Sequence, residues 1–251
     1  MRHYFKCNFM QAIYFCGDTH GNFQHVIDAV LDKRPAAIIF LGDLQARQPL
    51  EMELEAIVDL TEVWYIHGNH DTDTDADYDH LFGSALAGRN LHGRIVDVAG
   101  YRIAGLGGVF RGHIWMPPGP KKFQTQREYT QKAGKENRWR DGLPRKHYSS
   151  IFPTDYNYLA SQRADILVTH EAPSAHPHGF ATIDELARSM RVSRSFHGHH
   201  HDRIDYSEHQ ERLGFKAQGV GLCGVSDIDG NVIVAGKHDH EVPWATLHRR
   251  R

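Results

Sequence analysis

Cysteine is scarce in this 251-residue chain: Cys7, Cys16 and Cys223 are far apart, and none stands in a C-x-x-C pair. Three widely spaced thiols argue against a disulfide framework and against thiolate zinc, and they fit a reducing compartment. Long apolar runs are also missing. None reaches the ~18 residues a membrane-spanning helix needs, and the first residues lack the apolar core of a signal peptide. Charge of one sign is missing too. Lys and Arg total 29 against 31 Asp and Glu, a net charge of -2, so no global pull toward nucleic acid or a lipid surface is implied. Internal repeats and low-complexity tracts are absent. What remains is a cytoplasmic protein with no membrane partner, read as one domain over residues 1–251 with a basic, proline-containing insertion at about 111–153. The first nine residues are polar and irregular, and Met10 stands just before the first apolar run, which makes it a candidate natural start.

Histidine is abundant, at 20 residues. Such enrichment suits a metal-binding protein, and the positions are not scattered. The run Val63-Trp64-Tyr65-Ile66 reads as a buried strand and leads into Gly68-Asn69-His70-Asp71. A glycine lets the chain turn sharply there, and an amide, an imidazole and a carboxylate follow in succession. The pattern recurs. The apolar run 12–16 ends in Gly17-Asp18-Thr19-His20-Gly21, and 36–41 ends in Gly42-Asp43. Run 164–169 ends in His170-Glu171, and Ser195-Phe196 leads into Gly198-His199-His200-His201-Asp202. Helices fit between the first runs. Asn22 is a candidate N-cap before the stripe Val26, Ile27, Val30, Leu31, and Leu50, Leu54, Ile57 and Val58 share a face over 49–60. Strand, helix, strand, helix, strand is an α/β order, and such sheets bind ligands outside the carboxyl ends of their strands. In extended segments the i, i+2 spacing points Asp18 with His20, and His199 with His201, to one side, while His200 points away.

Asp18, His20, Asp43, Asn69, His170, His199 and His201 are too many ligands for one zinc ion, which takes about four. They suit two divalent cations sharing a carboxylate, and the mix of oxygen and imidazole without thiolate favours Mn, Fe or Zn. Two such ions carry about +4 against about -2 from the ligand aspartates, so the site stays cationic and attracts phosphate. A hydroxide bridging the ions would be the nucleophile. His70, free of metal duty, would protonate the leaving oxygen.

The ordered blocks Asp18-Thr19-His20, Gly42-Asp43, Gly68-Asn69-His70-Asp71, His170 and Gly198-His199-His200-His201 span most of the chain. In them the sequence resembles the calcineurin-like metallophosphoesterases. The resemblance implies a four-layer αββα sandwich, two mixed β-sheets flanked by helices. It implies one metal on Asp18, His20, Asp43 and His201, and another on Asp43, Asn69, His170 and His199. It implies hydrolysis of phosphate mono- or diesters, with Asn69, His70 and Arg47 facing substrate. One departure stands out: after Gly42-Asp43, Ala46-Arg47 stands where the phosphoprotein phosphatases carry Asp-Arg. The aspartate that would orient the catalytic histidine is missing, and Asp71 is the candidate substitute.

The substrate could be a phosphorylated small molecule, a nucleotide or a phosphoprotein. The insertion carries Lys121, Lys122, Arg127, Arg138, Arg140, Arg145 and Lys146 among Trp115, Phe123, Tyr129, Trp139 and Tyr148. It reads either as a mobile surface segment or as a basic lid, and on the second reading the alternatives are a nuclease or a nucleotide phosphodiesterase. A non-catalytic scaffold on the same fold is the reading from a different class, and a complete ligand set argues against it. Residues 71–77 resemble the start of a calcium loop but lack its Gly and Glu, leaving a solvated acidic loop. His176 and His178 are expected to be exposed, and 238–240 to form a solvated turn. Further expectations are a hairpin of 94–98 with 101–106, a short helix over 184–191, and strands at 215–217, 219–225 and 232–235 around an Asp229-Gly230 turn.

Overall fold

A computed structural model describes residues 12–239. Met10 and His240 lie outside that range. The described chain runs β1 (Ile13–Cys16), α1 (Gln24–Lys33), β2 (Ala37–Phe40), α2 (Leu50–Glu53), β3 (Glu62–Tyr65) and α3 (Asp75–Phe82). The hairpin β4 (Arg94–Val98) and β5 (Tyr101–Leu106) follows, then α4 (Gln126–Lys132), α5 (Pro153–Ala160), β6 (Ile166–Thr169) and α6 (Ala181–Met190). Last come β7 (Arg194–His197), α7 (Gln210–Leu213), β8 (Lys216–Gly219), β9 (Val225–Asp227) and β10 (Val232–Val234).

These strands form two five-stranded mixed sheets, ordered β10-β9-β1-β2-β3 and β4-β5-β6-β7-β8. The sequence alternation builds three apolar layers. Ile13, Phe15, Ile39, Trp64 and Ile66 face Ile103, Ile166, Val168 and Phe196 between the sheets. Their neighbours Tyr14, Cys16, Ile38, Phe40 and Tyr65 face outward onto Val26 and Val30 of α1 and onto Leu50, Leu54 and Ile57. On the other side Ala104, Leu106 and Leu167 pack against Leu159, Ile183, Leu186 and Met190. Helix, sheet, sheet, helix is the expected sandwich. Because period-2 strands are apolar on both faces here, both sheets are buried on both sides. Phe15 stacks on Phe196 across the middle layer, with ring centroids 3.7 Å apart.

Several local expectations are corrected. Asn22 does not cap α1; Phe23 holds that position, its ring pinned edge-on to Phe40 at 5.8 Å. The α-helix expected over 49–60 ends at Glu53 and continues as successive turns through Leu60, yet Leu50, Leu54 and Ile57 still bury their side chains. Helix α6 begins at Ala181, ahead of 184. Residues 220–224 are a loop, not strand, folded back onto the end of β1: Gly17 N donates to Gly224 O at 3.0 Å and Cys223 N to Asp18 O at 2.9 Å. Segment 111–153 is not simply a surface excursion. Ile114, Trp115, Leu143, Ile151 and Phe152 are buried in the outer layer of the second sheet.

Candidate metal centre

The parallel strands β1, β2, β3, β6 and β7 each carry a candidate ligand on the segment after their carboxyl end. Asp18, His20, Asp43 and His201 each bring one ligand atom into a group spanning no more than 4.8 Å, and Asp43, His170 and His199 do the same. Asn69 Oδ1 stands 3.2 Å from His170 Nε2. All seven expected ligands therefore converge, and Asp43 belongs to both groups.

The route to convergence differs from the expected extended geometry. His20, Asp43, Gln45, His199 and His201 all have positive φ, between 43° and 74°. Left-handed backbone at non-glycine residues costs roughly 1 kcal/mol or more each. Its concentration at one place marks a constellation held against local preference. Gly68 makes the close approach possible: a Cβ there would lie 2.6 Å from His170 Cε1 and collide with the Asp43 carboxylate.

The polar atoms are arranged for cations. His170 Nδ1 is 2.8 Å from Leu41 O, so it is the N–H donor and leaves Nε2 with a lone pair. That lone pair faces Asn69 Oδ1 and, at 3.4 Å, Asp43 Oδ2. Asp43 Oδ1 accepts from His70 N at 2.8 Å, while its buried Oδ2 has no hydrogen-bond partner. Three acceptors with no donor among them are unstable together unless a positive charge sits between. Without a metal that charge is a proton. Burial alone would lower the His170 pKa, but the Asp43 carboxylate overrides it and holds it up at about 10. Burial likewise opposes ionisation of Asp43, and the facing His170 prevails, keeping the carboxyl well below its ordinary range. On the other side His20 Nδ1 meets Gln45 Oε1 at 2.5 Å, which turns the His20 Nε2 lone pair toward His201 Nε2 at 3.0 Å. His201 Nε2 is 3.1 Å from Asp18 Oδ2. Burial, reinforced by the charge on His170, drops the His199 pKa to about 3, so its imidazole is neutral and free to ligate. This donor set of carboxylate, amide and imidazole fits two divalent ions.

His70 lies at the rim, its ring 5.7 Å from that of His20. Asp71 does not touch it. Both Asp71 oxygens are taken by backbone, Oδ1 by Gln45 N and Oδ2 by Gly68 N, each at 2.8 Å, so this buried carboxylate ties two site loops together. Asp73 takes the expected place instead, its Oδ2 2.5 Å from His70 Nδ1. Burial is the largest single influence on the His70 pKa and pulls it down, but the Asp73 hydrogen bond and the charges of Asp43 and Asp73 together outweigh it and the net shift is upward. Asp77 caps α3 with Thr74 and Asp71 is buried, so only the exposed residues 73–76 of the expected acidic loop stand in solvent. Arg47 is exposed and runs beside Gly21. The insertion reaches the site through Arg145, whose Nε donates to Thr72 O at 3.1 Å and whose Nη2 donates to Asp73 O at 2.5 Å. His176, expected to be exposed, is buried: it stacks on His200 at 3.9 Å and lies 3.4 Å from Asp202 Oδ2. Asp239 Oδ2 accepts from Gly236 N at 2.8 Å while its Oδ1 is buried, so that turn packs against the protein rather than standing in solvent.

The chain belongs to the calcineurin-like phosphoesterases, whose family model matches residues 12–203. A Haemophilus influenzae relative, described only as an uncharacterized protein, is 43% identical over 229 residues, covering 91% of this chain and 99% of its own. The crystal structure of TT1561 of Thermus thermophilus superposes with a TM-score of 0.56 at 13% identity, covering 90% of this chain and 99% of that one, a likeness of fold. Among the described residues no helix is long and apolar enough to cross a membrane.

Proposed function

We propose that this protein is a dinuclear metal-dependent phosphoesterase acting in the cytoplasm on phosphate esters of small molecules or nucleotides. The observation that carries it is Asp43, a buried carboxylate common to the two donor groups, whose Oδ2 has no hydrogen-bond partner. Asp18, His20, Asp43 and His201 would hold one ion, and Asp43, Asn69, His170 and His199 the other, with Mn, Fe or Zn fitting the donors. Bound there, the ions would supply a water activated near neutral pH and positive charge against the phosphoryl oxygens. The chain's own residues do the rest. Gln45 fixes the His20 ring, Leu41 O fixes the His170 tautomer, and Asp71 locks the loops on which Asp43 and Asn69 stand. His70, held by Asp73 through Nδ1 and raised in pKa, keeps a proton on Nε2 to give to the leaving oxygen. The nuclease alternative loses ground because Arg140 and Arg145 are paired with Asp79 and Asp75 rather than lining an open groove.

Elemental analysis of Asp43→Asn tests this. Metal should be lost from both positions together with hydrolysis of an aryl phosphate; two retained equivalents would reject the bridging carboxylate.

A further inference from the structure

Arg111 is a cation without a counterpart. It follows β5 through the Gly107-Gly108 turn and is half-buried. Its guanidinium makes one hydrogen bond, Nη2 donating to Ser149 Oγ at 3.3 Å. Its Nε is buried without a partner, and among the described residues no carboxylate reaches ion-pair distance. A buried Nε–H with no acceptor is a costly arrangement in a half-buried guanidinium. The nearby insertion cations are not left that way. Arg140 pairs with Asp79, Arg145 with Asp75, and Lys121 lies over the Trp115 ring at 4.5 Å.

Its place is at the candidate site. Ser149 Oγ, which pins it, is 3.5 Å from Asn69 O and 2.7 Å from Thr72 Oγ1. Asp73, Glu171 and Asp43 all exert an electrostatic pull on Arg111. Through Ser149 the guanidinium is tied to the turn of Asn69 and Thr72, beside His70 and Asp73. Glu171 does not neutralise it by direct contact: its Oε1 instead accepts from Phe110 N at 2.9 Å.

We infer that Arg111, pinned by Ser149, forms an anion subsite beside the cation cradle and takes a non-bridging oxygen of a dianionic phosphoryl group. The inference rests on the phosphoesterase reading and sharpens it. A fixed cation attracts a dianion about twice as strongly as a monoanion, so the subsite favours phosphate monoesters over diesters. An arginine fork also matches phosphoryl geometry.

The test compares metal-loaded wild type with Arg111→Met, which keeps the apolar stem, Arg111→Gln, which keeps a donor for Ser149, and Arg111→Lys. Calorimetry with inorganic phosphate, alongside metal analysis, should show two equivalents of metal throughout. The dissociation constant should rise ~10- to 100-fold in the neutral variants, the loss expected for a charge-assisted hydrogen bond, with partial recovery in Arg111→Lys. The ratio of kcat/KM for an aryl monoester to that for a bis-aryl diester should fall in the same variants. If Arg111→Met does not fold, Arg111→Gln decides the matter. Undiminished phosphate affinity in a folded neutral variant overturns the subsite and leaves the dinuclear reading standing. Failure of metal-loaded wild type to bind phosphate overturns both.

Discussion

In the proposed mechanism His70 owes its proton-donor role in part to a neighbour three positions along the chain. Its Nδ1 is anchored on Asp73 Oδ2, and that carboxylate together with Asp43 more than offsets the penalty of partial burial. An acid catalyst must carry its proton into the reaction, so activity falls as pH rises through the His70 pKa. Asp73→Asn removes part of the upward pull, leaving that of Asp43, and the alkaline limb of the pH–rate profile should move to lower pH with metal content unchanged. An unmoved limb would detach Asp73 from the acid. His70→Ala should retain both metals and lose ~10²- to 10⁴-fold in kcat, the usual worth of a positioned general acid; wild-type turnover would remove it from the chemistry. The candidate ligand set was legible in the sequence because metal chemistry limits such sets to a few residue types, here recurring at strand ends. Asp73 was not. In an apparent acidic run nothing marks which carboxylate faces the histidine until the short 3-10 turn His70–Thr72 brings residue 73 back beside residue 70. Arg111 was hidden for a related reason: its significance is the absence of a partner, which only packing reveals.

Strand ends place these residues, and tight backbone contacts set how well. Gly68 packs on Asp43 and His170 so closely that a methyl group has nowhere to go. Gly68→Ala should leave the sheets intact but push the two ligands apart, weakening metal binding ~10- to 100-fold, the scale for disturbing the supports of a metal ligand. Metal titration reads this directly, and wild-type affinity would mean that the cradle yields more than its packing suggests. Elements with a strong pattern were readable. The hairpin of β4 and β5 runs over 94–98 and 101–106, as alternation and the Ala99-Gly100 break require. Elements decided by tertiary contact were not. The stripe over 49–60 is helical in spacing, but only α2 is regular, because burial of Leu54 and Ile57 is satisfied by turns as well as by helix. The paired histidines 199 and 201 were read as neighbours on an extended segment. They do share a site, through left-handed backbone that no local propensity would choose.

Across the whole molecule, the same groups that would hold metal make stability depend on pH. In the metal-free protein His170 keeps its proton to about pH 10, because Asp43 faces it, whereas an unfolded histidine releases it near 6.5. Between those values the folded state binds more protons than the unfolded one. Its stabilisation is complete below about 6.5 and is lost as pH rises toward 10, by up to ~1.4 kcal/mol per pH unit from this group. His147 and His197 act in the opposite direction. Burial pushes both down to about 4, so they stay neutral in the fold while unfolded histidines take up protons, and stability drains as pH falls from about 6.5 toward 4. Asp71 and Glu171, whose carboxyls burial raises to about 7, oppose part of that acid loss, whereas above about pH 7 the chelated protein should lose stability through His170. Metal bound between Asp43 and His170 would displace that proton, so its stabilisation grows as pH rises toward 10. Thermal melts with and without chelator should diverge progressively as pH rises from 6.5 to 9.5. A chelator effect that is flat across the alkaline range would mean that no proton stands in for metal between Asp43 and His170.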